Sequence, residues 1–157
     1  MLNKFKNRKQ EGFTIIEVLI VLAIAGLILL IVFLAVPALQ RNARNTGIRT
    51  DAGNLLSGVN EYVANNSGVL PTTVACAADG TVTISGAGQS NTTKVKAGTV
   101  CQANPSFPAT TATGTIYIAL GQKCTNNTTL AASARSFSAT FRVESGSGTN
   151  PSQCVES

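Results

Sequence analysis

Histidine and tryptophan are both missing from this chain of 157 residues, and methionine occurs once. Without an imidazole, general acid–base chemistry near neutral pH falls to the carboxylates. There are only seven Asp and Glu residues, and no two of them share a motif. The lack of histidine, together with cysteines that form no C-x-x-C pair, argues against a zinc site. No G-x-x-x-x-G-K-[ST] run is present to cradle a phosphate. The expectation is therefore a protein with no cofactor, no metal and no catalytic constellation, hence not an enzyme. Aromatic residues make up 5% of the chain, so its core is poor in large side chains and gains more from cross-links. Aromatics that sparse also give no support to electron conduction. Only 12% of residues are charged. Lys94, Lys96, Lys123, Arg135 and Arg142 are scattered, without a clustered run or neighbouring aromatics, and read as solvated charges rather than a DNA-binding patch.

What the chain has in abundance is one apolar run, from Gly12 to Leu39. The 22 residues from Val18 to Leu39 carry no charge. As a helix they extend about 33 Å, against a hydrocarbon core of about 30 Å. Glu17 is the one acid near the start of the run, where a charge costs less than at mid-membrane but is still unfavourable. Ahead of it stand Lys4, Lys6, Arg8 and Lys9, which by the positive-inside rule place the N-terminus in the cytoplasm and the C-terminus outside. Residues 1–12 carry +3 of the chain's net +5, leaving +2 for the remainder. Pro37 offers no N–H to the carbonyl of Phe33, and Gly26 is a second weak point, so the helix is expected to break or loosen at these positions.

The basic leader, the junction Gly12-Phe13-Thr14-Ile15-Ile16-Glu17-Val18 and the spanning run that follows resemble the start of a type IV prepilin of the IVa kind. The resemblance is specific over roughly the first 40 residues. It implies that a prepilin peptidase cuts after Gly12 and methylates the new amino terminus at Phe13, and that Glu17 is used in assembly. Phe13 and Glu17 lie four apart and share a helix face. In a bundle Glu17 would meet the Phe13 amine of a neighbouring subunit, each neutralising the other in apolar surroundings. Family members usually carry a proline three residues earlier, where this chain has Leu34. A locally melted segment in a filament is accordingly expected between Gly26 and Pro37.

Beyond the run, residues 40–65 carry Ile48, Leu55, Leu56, Val59, Tyr62 and Val63 at near-helical spacing, an amphipathic continuation that stops at Asn65-Asn66-Ser67-Gly68 before Pro71. Residues 66–112 are rich in Gly, Thr, Ser, Asn and Ala and read as a loop region. Thr81–Ser85 and Lys94–Cys101 in it suggest one short hairpin, and Asn104–Pro108 a turn. In residues 113–157, Thr115–Leu120 and Ser136–Glu144 alternate cleanly and Thr128–Ala134 does so weakly. Phe137, Ala139, Phe141 and Val143 are expected inward, Ser138, Thr140 and Arg142 outward, with Gly146–Ser157 a tail. Cys76, Cys101, Cys124 and Cys154 all follow the apolar run and read as two exterior disulfides in one of three pairings. Cys76–Cys101 with Cys124–Cys154 closes moderate loops, and the second bridge resembles the C-terminal disulfide loop of many pilins; crossed and nested pairings stay open.

The expected fold is α+β and pilin-like. A long N-terminal helix, apolar in its first half and amphipathic in its second, packs on a small antiparallel sheet. The expected function is that of a major pilin, polymerising into a surface filament for adhesion, twitching motility or DNA uptake. The resemblance implies as partners the prepilin peptidase, an assembly ATPase with its inner-membrane platform protein, other copies of the chain, and a secretin where there are two membranes. It also implies a membrane before assembly and a host or surface ligand after it. A minor pilin or pseudopilin of a secretion or uptake machine is the alternative; a membrane-anchored exterior binding module that never polymerises is the second.

Overall fold

The computed structural model describes residues 12–96, 99–103, 114–126 and 129–157. The chain divides into two compact units, Met1–Leu39 and Gln40–Ser157, and helix α1, Ile15–Asn65, contributes to both.

In the first unit α1 exposes its apolar side chains all round, from Ile15 through Leu39. It passes Gly26 and Pro37 without a break, although Pro37 lies inside it. An interior proline costs about 3 kcal/mol through one lost hydrogen bond and a crowded carbonyl, and the flanking turns of apolar helix formers absorb that cost.

In the second unit the amphipathic part of α1 buries Ala52, Leu55, Leu56, Val59 and Tyr62, residues three or four apart along one stripe. The helix ends where the Gly68 N–H donates back to the Val63 carbonyl at 2.9 Å, next to Ser67 at φ 55°. Two sheets follow. Strands β1 (Thr73–Cys76), β2 (Thr81–Gly86) and β3 (Gln89–Lys94) form an antiparallel meander. Strands β4 (Val100–Ala103), β5 (Thr115–Asn126), β6 (Thr129–Arg142) and β7 (Ser152–Glu156) form the second sheet in that order. The core joins the helix stripe to Val74, Val82 and Ile84 of the first sheet and to Ile116, Ile118, Phe137, Ala139 and Phe141 of the second. This is the expected α+β architecture, a long helix packed on small sheets.

Several local expectations need correction. In place of one hairpin, β1, β2 and β3 form a complete meander over the described residues 73–94 of this region. Lys94–Cys101 is not one strand: Lys94 ends β3, and Val100 begins β4 in the other sheet. β4 pairs with β5 in parallel, so the second sheet is mixed. The two pieces expected around residues 128–134 and 136–144 fall largely in one strand, β6, which covers Thr129–Arg142, and the supposed tail contains β7. The edge strands β3 (QSNTTK) and β7 (SQCVE) are polar and show no apolar alternation, so their own residues do not announce them. Ser138 and Thr140 face away from the core yet are fully buried. The Asn104–Pro108 turn and residues 1–11 lie outside the described residues.

Gly58 sets how closely the helix approaches the meander. A Cβ there would stand 2.8 Å from Ile84 Cδ1 and 2.8 Å from Thr93 Cγ2, and the Gly58 carbonyl accepts from Asn91 Nδ2 at 3.0 Å. Gly53 faces open space on the same helix. Alanine at the two positions should therefore act in opposite directions. Gly53→Ala should stabilise by about 0.5–1 kcal/mol through helix propensity. Gly58→Ala should destabilise by about 1–2 kcal/mol, since forced repacking outweighs that gain. Denaturant unfolding of both variants checks the signs.

Candidate functional site: the N-terminal helix start

The first described residues form a capping box. Thr14 precedes the helix, and its hydroxyl accepts from the Glu17 N–H at 3.4 Å. The Glu17 carboxylate accepts in return from the Thr14 N–H at 2.9 Å and the Thr14 hydroxyl at 2.7 Å. A threonine and a glutamate three apart satisfy each other's neighbouring N–H groups, and the acid also favours the positive end of the helix. The T-x-x-E spacing at Thr14–Glu17 carries this signal in the sequence, alongside the assembly role that the resemblance implies for Glu17. Phe13 sits one residue ahead of the box and is 88% exposed. One turn along, Phe13, Glu17, Val18, Val21 and Leu22 line a shallow apolar depression on a single face. The structure thus brings Phe13 and Glu17 to one side of the helix, with Gly12 next to them; Gly26 and Pro37 lie further along within α1.

The chemistry available here is that of an exposed apolar rod. Ile15, Ile16, Leu19, Leu27, Leu29, Ile31, Phe33 and Leu34 are each more than half exposed. The helix is long and apolar enough to cross a membrane. Residues 7–33 match the family model described as the prokaryotic N-terminal methylation motif. Its N-terminal segment is that of a type IV pilin- or pseudopilin-type protein. No curated protein and no solved structure matches the chain. Such pilin-type proteins are processed by a prepilin peptidase and assemble into filaments, and an apolar N-terminal helix suits both a membrane-anchored precursor and an assembled pilus.

Elsewhere the chain shows polar arrangements that hold the fold together. Asp51 is buried on the helix and accepts from the Lys96 N–H at 3.0 Å and the Thr99 hydroxyl at 2.9 Å. The Arg44 guanidinium grips Glu144 through two bonds, at 2.8 and 2.6 Å. The Asn45 amide brackets the Glu144 backbone, donating to its carbonyl at 2.9 Å and accepting from its N–H at 2.7 Å. These residues line a cavity of about 410 Å³ together with Gly47, Ile48 and Arg142. Both acids are engaged, and among the described residues no group of three or more His, Cys, Asp or Glu is placed to hold a metal. Cys76 is bonded to Cys101, linking the two sheets, and Cys124 to Cys154, linking β5 to β7.

The Arg44 hydrogen bonds hold the Glu144 carboxyl below its ordinary value of 4.5. A depressed folded-state value means that the clasp's contribution is complete above pH 4.5 and is lost as pH falls through the lower folded value. A carbon-detected titration of Glu144 should show a midpoint below 4.5 that returns toward 4.5 in Arg44→Ala. An unmoved midpoint in that variant would mean that the pair has no influence in solution.

Proposed function

We propose that the chain is the major subunit of a type IV pilus. A peptidase removes residues 1–12 by cutting after Gly12, and Phe13 becomes the methylated amino terminus. The precursor waits in the cytoplasmic membrane with its N-terminus inside and its sheets outside. An assembly ATPase acting through an inner-membrane platform protein then draws subunits into a helical filament. Apolar helices fill the core of that filament, and the sheets and loops face water, where they serve adhesion, motility or DNA uptake. Glu17 exchanges its capping role for a pairing with the Phe13 amine of the next subunit. Within the filament the helix loosens between Gly26 and Pro37, and density for an unbroken helix through Ala35 would contradict that part.

The observation that carries the reading is the methylation motif joined to an unburied apolar helix. Nineteen large apolar side chains between Phe13 and Leu39 left in water would be strongly unfavourable, at roughly 25 cal/mol for each Å², so lipid or copies of the same helix must cover them. Two disulfides and a developed C-terminal region support a filament body rather than a pseudopilin. Quantitative peptide analysis of sheared surface filaments tests the assignment. A major pilin dominates that fraction; a minor pilin or pseudopilin is rare in it, and a solitary anchor is missing from it.

A further inference from the structure

We propose that the Cys124–Cys154 bond is a redox-released strap: it holds the outer half of the β5–β6 hairpin down over the sheet face opposite the core, and breaking it frees that half to lift about Gly121 while the core stays folded. The proposal rests on the domain's geometry alone and is independent of the filament reading.

The register defines the face. Tyr117 stands opposite Thr140 and Thr140 opposite Cys154; Ala119 stands opposite Ser138 and Ser138 opposite Glu156. The alternate residues Ile116, Ile118, Ala139 and Phe141 lie in the core, so the Ser138–Thr140 row points the other way. On a small domain that face ordinarily meets water. Here Ala119, Ser138 and Thr140 are 1%, 0% and 1% exposed.

The strap brings part of the cover into place. β5 and β7 flank β6 without pairing to each other, and two strands apart in a flat sheet means a separation of about 9–10 Å. Yet the Cα atoms of Cys124 and Cys154 are 5.9 Å apart, and the Cys124 N–H donates to Glu156 Oε2 at 2.9 Å. β5 therefore leaves the plane of the sheet before Cys124 and crosses toward the Ser138–Thr140 face. The bend sits at Gly121, whose φ of 72° a residue with a Cβ rarely adopts. There Leu120 faces Phe137 but Gln122 faces Ala132, so residues 133–136 of β6 bulge out of register.

The surface beneath gives the cover little hold. Ser138 Oγ and Thr140 Oγ1 are buried with no hydrogen-bond partner among the described residues. A hydroxyl buried without a partner favours uncovering, since water satisfies it as soon as the arm lifts. Cys124 and Cys154 are both partly exposed, within reach of a dithiol reductant; in the other bridge Cys76 is partly exposed and Cys101 is buried. In the release step one thiolate of the dithiol attacks a strap sulfur and the Cys124–Cys154 bond breaks. The dithiol closes to its own disulfide, and the two cysteine sulfurs end as protonated thiols. The oxidised domain then carries a folded-back arm, and the reduced domain an open row of hydroxyls.

The test is hydrogen exchange of the full chain in detergent micelles, comparing the natural sequence with Cys124→Ala/Cys154→Ala, in which Cys76–Cys101 is intact. Exchange should quicken by about tenfold or more in residues 121–126 and 129–136, with protection of residues 51–62 retained. Unchanged exchange in the arm, or lost protection of the helix stripe as well, would overturn the proposal. Adding Ser138→Ala and Thr140→Val to the cysteine variant should slow the arm's exchange back toward the natural value. Exchange that stays fast would overturn the role given to the hydroxyls.

Discussion

Phe141→Ala should lower the stability of the second unit by about 3–5 kcal/mol, the cost of removing a buried aromatic ring and leaving its cavity. Phe141 is fully buried on β6, between Ile116 of β5 and Gln153 of β7. Its loss weighs heavily because Tyr62, Phe137 and Phe141 are the aromatic side chains buried among the described residues. Domains of this size are stable by only about 5–15 kcal/mol, so the variant should sit near its unfolding midpoint under mild denaturant. Phe141→Leu, which keeps most of the volume, should cost less than about 1.5 kcal/mol. Equilibrium unfolding followed by far-UV dichroism measures both. Equal effects for Ala and Leu would mean that the ring does not lie in a close-packed core.

Glu17→Gln should abolish surface filaments while leaving the start of the helix intact. In the structure the Glu17 side chain caps the first turn through Thr14, and glutamine performs that capping without a charge. Pairing with a neighbour's terminal amine needs the charge, because an unpaired ammonium among apolar helices is costly. Comparing Glu17→Gln with Glu17→Ala therefore separates the two roles. Filament loss in both variants points to the charge, whereas filaments in Gln but not in Ala point to the cap. Electron microscopy of cell surfaces, with immunoblots to confirm that the precursor accumulates, reads the outcome.

The features legible in the sequence were those set by local periodicity. The apolar run declares a helix, while the stripe from Leu55 to Tyr62 and the alternation in Ile116–Leu120 and Phe137–Val143 also declare which face is buried. Features decided at long range were not legible. The polar strands β3 and β7 owe their conformation to a partner strand rather than to their own residues. The parallel pairing of β4 with β5 depends on where residues 100–103 fall against 115–118, which no local pattern records. Ser138 and Thr140 alternate like solvent-facing residues and are nonetheless fully buried, which no local pattern records. At the N-terminus the Gly12–Glu17 junction was plain. The capping role of the same glutamate is equally legible in T-x-x-E. The unbroken passage through Pro37 shows a different limit: a proline penalises the helix, and the apolar turns on either side outweigh the penalty.

The most direct measurement is the intact and N-terminal peptide mass of the native protein taken from sheared cell-surface material. Expected is a chain beginning at a methylated Phe13, lacking residues 1–12. A native chain that still carries Met1–Gly12, recovered as single copies from the membrane and absent from the sheared fraction, would contradict the proposed processing and polymerisation together.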